Sequence, residues 1–276
     1  METLQQLQWH LPLFALGIIR LCLWLLLLMV IFIPLERLWA QHSQKTFRQG
    51  FLTDLGYYFL NSLLPKLLLV LPLSMIAMGL HHLAPNGLYV WVAEMPPWLR
   101  FAMAMLVGEL GAYWGHRWSH EVPLLWRFHC VHHSAQEMDW LVNTRAHPLD
   151  MVFIRFCGLV PLYVLGLAQP TDNSVDLLPL VYSIIGTIWG FFIHANVRWR
   201  FGWLEWCVST PAFHHWHHTK DGPQEMNKNY AALLPLVDQI FGTLYLPKKQ
   251  WPMAYGIETS VASSLPGQLL QPFESH

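Results

Sequence analysis

The stretch from His116 to His133 reads HRWSHEVPLLWRFHCVHH, and five of its eighteen residues are histidine. His116 and His120 are four residues apart. The spacing H-x-x-H-H occurs twice in the chain, at His129, His132 and His133 and again at His214, His217 and His218. Residues three and four apart lie on one face of an α-helix, so each of these three histidine boxes would present its imidazoles together.

The number of these histidines indicates two metal ions rather than one. Neutral imidazole is the commonest side-chain ligand and suits zinc, copper, iron and nickel. Four imidazoles saturate a tetrahedral zinc, so the eight in the boxes are too many for one ion and suit two. Solvated or core histidines are the alternative interpretation, and three boxes with regular spacing make it the weaker one.

The composition is that of a membrane protein. The chain has 276 residues, 54% of them hydrophobic and 12% charged, and its mean hydropathy is +0.32. Soluble domains carry about 25% charged residues. The net charge of -1 gives no reason to expect a nucleic-acid partner, and the four cysteines form no CxxC pair and predict no disulfide framework. Fifteen tryptophans and nine tyrosines fit an aromatic belt at a membrane interface.

Apolar runs along the chain predict an all-α integral membrane protein with four to five transmembrane or hairpin helices. The runs span 11–33, 55–79, 98–115, 151–168 and 177–195. Pro34 is expected to end the first helix, Pro65 and Pro72 to kink the second, and residues 80–97 to form a loop. The first run lacks the basic n-region and cleavage site of a signal peptide, so we expect it to remain in the protein.

Basic residues predict the orientation in the membrane. They follow the first, third and fifth apolar runs, whereas the loops 80–97 and 169–176 contain no lysine or arginine. By the positive-inside rule the basic segments are cytoplasmic and the N-terminus is outside. All three histidine boxes belong to the cytoplasmic segments, so the sequence predicts a histidine-rich helical two-metal cap on the cytoplasmic face.

The boxes and the segments around them resemble the fatty acid hydroxylase superfamily, which includes sterol desaturases, C4-methylsterol oxidases and sphingolipid hydroxylases. Besides HRWSH, HCVHH and FHHWHH, the similar segments are NTRAHP at 143–148, HANVRWRFGWLEW at 194–206 and KNYAALLPLVDQIFGT at 228–243. The resemblance covers roughly residues 95–260 and is specific because several motifs occur in one order. The organisation expected from it is one membrane domain over 1–276, with N-terminal membrane helices at 1–94, a catalytic region at 95–260 and a C-terminal tail at 261–276.

The resemblance implies a membrane-bound, non-haem enzyme with two iron ions. Such an enzyme would use O2 and an external electron donor to hydroxylate or desaturate an apolar lipid such as a sterol, a fatty acyl chain or a sphingolipid. The sequence holds no segment like a cytochrome b5 or a ferredoxin, so we expect a separate protein of one of these kinds, with its reductase, to supply electrons. The enzyme would lie in the cytoplasmic membrane of a bacterium or in the endoplasmic reticulum of a eukaryote.

Carried over position by position, the resemblance implies a ligand set. Its members are His116, His120, His129, His132, His133, His194, His214, His217 and His218, with His147 as a further candidate. His215 is left out because it points elsewhere on a helix than its neighbours. The remaining histidines, at positions 10, 42, 81, 82 and 276, are isolated from the boxes and are expected to be solvated.

Glu109 is a candidate supporting residue. Glu109, Tyr113, His116 and His120 are spaced by four, three and four residues and would share one helical face. A buried carboxylate there would accept the second ring N–H of a ligand histidine and fix its tautomer; a protonated glutamate bonded to a neighbouring helix is the alternative. Further polar candidates for orienting the boxes are Asp139, Asn143, Arg145, Asn196, Asn229 and Asp238.

Two other classes of protein use histidine-rich sites. A zinc-dependent membrane hydrolase normally shows HExxH or a catalytic carboxylate beside its ligands, and the boxes contain neither. A histidine-rich metal transporter would carry its ligands inside the spans near the bilayer midplane, whereas these boxes lie at one predicted face. Metal analysis distinguishes the three classes.

Overall fold

The computed structural model describes residues 12–83, 86–168, 178–222 and 225–274. Within these ranges the secondary structure is helical and contains no β-strand, only two isolated bridges. The α-helices are α1 (Leu13–Leu38), α2 (Phe51–Leu83), α3 (Asn86–Ala93), α4 (Pro97–Glu121), α5 (Pro123–His133), α6 (Pro148–Val164), α7 (Leu178–His194), α8 (Pro211–His217), α9 (Pro235–Ile240) and α10 (Leu265–Leu270). Short 3-10 helices occupy Trp140–Thr144, Gly202–Trp206 and Gln271–Phe273. The all-helical prediction is confirmed.

Two of the described helices are long and apolar enough to cross a bilayer. They correspond to Phe14–Leu38 in α1 and Phe51–Gly79 in α2, and most of their side chains face outward. The helices α6 and α7 are 17 residues each, shorter than the roughly 20 residues that a full crossing needs. The number of crossings therefore stays a prediction.

Two boundary predictions were wrong. Pro34 lies inside α1, which continues to Leu38. Tertiary contacts stabilise the last turn of α1, because the Glu36 side chain accepts hydrogen bonds from the backbone N–H groups of Trp140 (2.8 Å) and Asn196 (2.9 Å). The stretch 80–97 is also more ordered than the predicted loop.

Within the described part of 80–97, α2 extends to Leu83 and α3 forms a separate short helix. Val92 of α3 packs with Leu162 and Leu167, so tertiary contacts stabilise a segment that its Asn-Gly and Pro-Pro pairs made look like a turn. The other uncharged loop, 169–176, falls outside the described residues.

Close contact between α4 and α6 positions the histidines at the C-terminal end of α4. A Cβ atom on Gly111 would overlap the carbonyl oxygen of Cys157, and one on Gly158 would lie 3.2 Å from the carbonyl oxygen of Gly108. Small residues allow two helix backbones to approach in this way. The contact brings the C-terminal end of α4, with His116 and His120, beside the N-terminal end of α6.

The N-terminal helices pack directly on the histidine-bearing region. One core cluster joins Leu28 and Phe32 of α1, Tyr58 of α2, Trp140, and Phe191 of α7. The predicted C-terminal tail also contains order, since Leu265 of α10 lies where a side chain on Gly56 of α2 would be.

Candidate metal centre

Nine buried or half-buried histidines form two groups. In each group one side-chain nitrogen per residue lies within 4.8 Å of all the others. The first histidine group contains His116, His120, His129, His133 and His217. The second histidine group contains His132, His194, His214 and His218. All nine histidines named as ligands from the boxes and from His194 are thus brought together.

The two groups are adjacent. The rings of His133 and His218 stack with centroids 4.4 Å apart, and the centroids of His132 and His218 are 4.6 Å apart. Because α5 and α8 each contribute histidines to both groups, the H-x-x-H-H spacing places neighbouring imidazoles on either side of one shared centre. The arrangement suits two cations held side by side.

Backbone carbonyl groups fix the tautomers of several rings. The carbonyl oxygens of Tyr230, Lys228, Arg145 and Gly190 lie 2.6–2.8 Å from Nδ1 of His116, His217, His132 and His194, respectively. A carbonyl oxygen only accepts hydrogen bonds, so each of these Nδ1 atoms carries the proton. Each Nε2 therefore presents an unprotonated lone pair toward the centre.

The lone pairs face one another at short distance. His194 Nε2 is 3.0 Å from His214 Nε2 and 3.4 Å from His132 Nε2. The proton of His194 is already given to the Gly190 carbonyl and that of His132 to the Arg145 carbonyl, so no hydrogen bond joins these two Nε2 atoms. His217 Nε2 and His214 Nδ1 are buried without any partner. A cation in each group would satisfy the facing Nε2 atoms and His217 Nε2, so the residues fit a metal ion in each group.

Electrostatics keep the rings neutral. Burial, and after it the nearby His129, lower the pKa of His116 to about 3. Burial and neighbouring histidines likewise hold the pKa values of His120, His133 and His218 well below the ordinary range. Neutral imidazole is the form that binds metal ions.

Asp150 supports the first group and was not anticipated from the sequence. Its Oδ2 lies 2.8 Å from His129 Nδ1, and its Oδ1 accepts a hydrogen bond from Ser119 at 3.0 Å. A carboxylate on the outer nitrogen of a ligand histidine fixes its orientation and raises its basicity. The available signal was the acid at the start of the helix that follows RAHP.

Glu109 does not contact a histidine. Its Oε1 accepts hydrogen bonds from the backbone N–H groups of Leu233 (2.7 Å) and Leu234 (3.0 Å). The expected role beside His116 is taken by the Tyr230 carbonyl. Glu109 thus contacts the segment after the 227–230 loop instead of a histidine.

His147 lies outside both groups. Its Nδ1 accepts the Leu149 N–H at 3.2 Å, which caps α6, and its Nε2 lies 3.2 Å from the Leu269 carbonyl oxygen. Both ring nitrogens are used in structural contacts. His215, excluded from the ligand set, also points away: its nitrogens contact the Tyr255 hydroxyl (2.8 Å) and the Ala195 carbonyl oxygen (3.1 Å).

The other isolated histidines are not part of the described groups. His42 is half-buried and packs edge-on against Tyr255, with ring centroids 5.7 Å apart. His10 and His276 lie outside the described residues, as do the side chains of His81 and His82.

One loop orients three histidines of the first group. Residues 227–230 supply the Asn227 side-chain oxygen, 3.1 Å from His120 Nδ1, and the two carbonyls that hold His217 and His116. The carboxylate of Asp238 holds this loop through the N–H groups of Tyr230 (2.8 Å) and Ala231 (2.9 Å).

Asn229 connects the same loop to segments on either side of it in the sequence. Its side chain donates to the carbonyls of Phe213 (2.8 Å) and Tyr245 (2.7 Å), and its φ of 58° is in the left-handed region that asparagine tolerates. Asn229 and Asp238 were both proposed as supporting residues, and they act on the ligands through this loop.

A buried ion-pair network anchors the second group. Arg145, whose carbonyl holds His132, pairs with Asp54 at 2.5 Å. Arg48 bridges Asp54 (2.6 Å) and Asp139 (2.7 Å). Arg48 and Asp54 belong to the N-terminal segment, and no pattern in the sequence indicated that they would lie near the histidines.

Comparisons with known proteins agree with this centre. The sequence model described as fatty acid hydroxylase matches residues 101–243. The ornithine lipid hydroxylase OlsE of Rhizobium tropici is 36% identical over 189 residues, which is 67% of this chain and 54% of the relative. The human alkylglycerol monooxygenase is 28% identical over 62% of this chain and 37% of the relative.

A more distant relative is the very-long-chain aldehyde decarbonylase GL1-5 of Oryza sativa, 28% identical over 58% of this chain and 27% of the relative. The chain spans about half or less of the length of these relatives. No solved structure matches the chain significantly.

Proposed function

Because this chain belongs to the fatty acid hydroxylase family, we propose that it is a membrane-bound di-iron oxygenase that hydroxylates an apolar carbon of a membrane lipid. The observation that carries the proposal is the pair of adjacent groups of five and four neutral histidines. The proposed ligands are these nine residues. Asp150 is proposed as a positioning residue, in place of Glu109 and His147.

Iron is the metal that suits both the ligands and the family. Imidazole nitrogen binds iron as well as zinc, so the donor atoms alone do not choose between them, and the family membership favours iron. When bound, the iron pair supplies the redox chemistry that reduces O2 and makes it able to attack an unactivated C–H bond. In the net reaction one oxygen atom enters the C–H bond, the other leaves as water, and a donor supplies an electron pair and two protons.

The side chains of this protein orient the site and keep water from it. The Nδ1–H groups of His116 and His217 donate to carbonyls of the 227–230 loop, and that of His129 donates to Asp150, so the Nε2 lone pairs of these three rings keep their direction. Trp126 and Tyr230 pack on His120, with ring centroids 5.2 Å and 5.1 Å away. These aromatic rings shield the first histidine group, which strengthens electrostatic interactions inside it.

The proposed substrate is a lipid with a polar head and an apolar chain. The names of two relatives, an ornithine lipid hydroxylase and an alkylglycerol monooxygenase, describe reactions on lipids of this kind. Those names also support hydroxylation rather than desaturation. The electrons would come from a separate ferredoxin or cytochrome b5-like protein with its reductase.

The proposed orientation places both histidine groups on the cytoplasmic side of the membrane. The support is the distribution of basic residues, since the segments that carry the boxes also carry most of the lysines and arginines. The apolar helices α1 and α2 would cross the bilayer, and the polar segments would assemble on the inner face.

Labelling with 18O2 tests the activity. Cells that express the protein, and matched cells that express His217→Ala, are grown briefly under 18O2 and their lipids are compared by mass spectrometry. The proposal predicts a lipid that gains one 18O atom only with the unaltered protein. A lipid that loses two hydrogens without gaining 18O would establish desaturation instead, and identical lipids in the two strains would contradict the oxygenase assignment.

A further inference from the structure

Two short helical segments outside α1 and α2 expose large apolar side chains. In Gly202–Trp206, Trp203 is 73% exposed and Trp206 is 49% exposed. In α9, Ile240 is 65% exposed and Leu236 is 49% exposed. The side-chain amide of Gln239 donates to the Trp206 carbonyl at 2.9 Å, so the two segments form one surface. We call Trp203, Leu204, Trp206, Leu236 and Ile240 the apolar ledge.

The charged residues of the same segments point inward. Glu205 is 2% exposed and pairs with Arg200 at 2.9 Å, and its Oε1 also accepts the Phe201 N–H at 2.8 Å. Asp238 is fully buried against the loop that orients His116 and His217. A surface that faces water shows the opposite pattern, with charges outward and large apolar groups inward. A contiguous exposed apolar patch of this kind marks a contact surface.

The position of the ledge is tied to the end of α1. The Arg198 N–H donates to the Trp39 carbonyl at 2.9 Å, and Ala40 forms an antiparallel bridge with Val197. The rings of Trp39 and Trp199 meet edge to face with centroids 5.4 Å apart. The ledge begins four residues after Trp199, so it lies close to the level at which the apolar helix α1 ends.

Basic residues border the ledge. The Arg200 guanidinium, which holds Glu205 inward, also donates to the carbonyls of Pro247 (3.4 Å) and Gln250 (3.3 Å). The residues between these two carbonyls are Lys248 and Lys249, and both are exposed. Tryptophan and leucine next to lysine is the composition of an interfacial membrane contact, in which rings sit at headgroup level and cations meet lipid phosphates.

We infer that the apolar ledge is immersed in the headgroup–acyl boundary of the leaflet in which α1 ends. This inference rests on the proposed membrane function and adds a second contact with the same bilayer, continuous with that of α1. Its consequence concerns the position of the 227–230 loop. Asp238 lies between two ledge residues and holds the 227–230 loop, so immersion keeps the ligand-orienting loop at the surface from which a lipid substrate comes.

Spin-label accessibility tests the immersion. Labels are attached at Leu204→Cys and Ile240→Cys in a background with the exposed Cys22 and Cys207 changed to serine, and the full chain is placed in nanodiscs that contain phosphatidylglycerol. Collision with O2 reports lipid, and collision with a water-soluble nickel chelate reports water. Leu26→Cys on the exposed face of α1 is the lipid control, and Lys220→Cys is the water control. Iron content is measured on every labelled variant to confirm folding.

The inference predicts that both ledge labels collide with O2 and lose collisions with nickel, as the Leu26 label does. Nickel collisions equal to those of the Lys220 label would overturn it. Poor access for both reagents would also overturn it, because a protein partner or a second copy would then cover the ledge. If the nickel chelate collided with the Leu26 label, the proposal that α1 is inserted in the membrane would be contradicted. That result is distinct from a contradiction of the ledge inference.

Discussion

Asp150 Oδ2 lies 2.8 Å from Nδ1 of His129, while Ser119 donates to the other oxygen of the same carboxylate at 3.0 Å. Asp150 is buried and belongs to α6, whereas Ser119 belongs to α4 and His129 to α5. The Asp150 carboxylate of α6 therefore links His129 on α5 to Ser119 on α4. The close glycine contacts between α4 and α6 bring these three residues together.

Replacing Asp150 with asparagine should weaken metal binding in the first histidine group. An amide is neutral, and its NH2 group facing Nδ1 would favour the tautomer in which Nε2 is protonated and unable to bind. Loss of a partner of this kind typically costs ~10–100-fold in metal affinity or activity. The measurement is iron content and lipid turnover of Asp150→Asn. Glu121→Gln, on the half-exposed ion pair with Arg117, is the matched control and should behave as the unaltered protein. If Asp150→Asn also kept the iron content and lipid turnover of the unaltered protein, Asp150 would have no role in positioning His129.

Glu109 should matter for stability rather than for metal chemistry. A glutamine keeps the Oε1 acceptor that receives the Leu233 and Leu234 N–H groups, so Glu109→Gln should retain iron. Glu109→Ala leaves two buried N–H groups unpaired, each at a cost of about 1–3 kcal/mol. Its thermal midpoint should fall and iron should be lost as the loop loosens. Iron loss in Glu109→Gln at an unchanged midpoint would instead support direct contact with a ligand.

His215 and His217, two residues apart in FHHWHH, should differ in function. His217→Ala removes a ligand whose Nε2 has no partner in the protein, so the variant should lose iron and activity. His215→Ala removes contacts with Tyr255 and Ala195 only, so it should keep its iron with lower stability. Iron analysis of both purified variants measures this. Equal iron loss in the two variants would contradict the assignment of His217, and not His215, as the ligand.

The orientation in the membrane predicts a labelling pattern. Lys248→Cys should be protected from a membrane-impermeant thiol reagent in intact cells, and Asn86→Cys, at the start of α3, should react. The physical basis is that basic segments remain cytoplasmic. Reaction at Lys248→Cys without permeabilisation would reverse the orientation or change the number of crossings.

The grouping of the box histidines could be predicted from the sequence because helical periodicity places the members of each box together. Spacing of three and four residues makes each box one-faced, and the resemblance to a family added His194. Local patterns also gave the helix that carries His116 and His120. These features depend on short-range geometry, which a sequence records directly.

The supporting residues were less readable because they act across long sequence distances. Asp54 pairs with Arg145 from 91 residues away, and Glu109 reaches Leu233 from 124 residues away. The helical spacing of Glu109 from His116 predicted a direct contact between them, but Glu109 instead bonds the backbone at Leu233 and Leu234. Asp150 carried no such spacing signal, since its contact with His129 depends on how α5 and α6 pack.

The metal content of the purified protein distinguishes a di-iron centre from a zinc site and from a transport site. The protein is extracted in mild detergent from cells grown without added metals, and its bound metals are counted by mass spectrometry after extensive dialysis. Two adjacent groups of five and four neutral imidazoles predict two iron ions per chain, and their loss in His217→Ala. One tightly bound zinc ion per chain, or metal that dialysis removes, would contradict a di-iron centre and point to a hydrolase or a transporter.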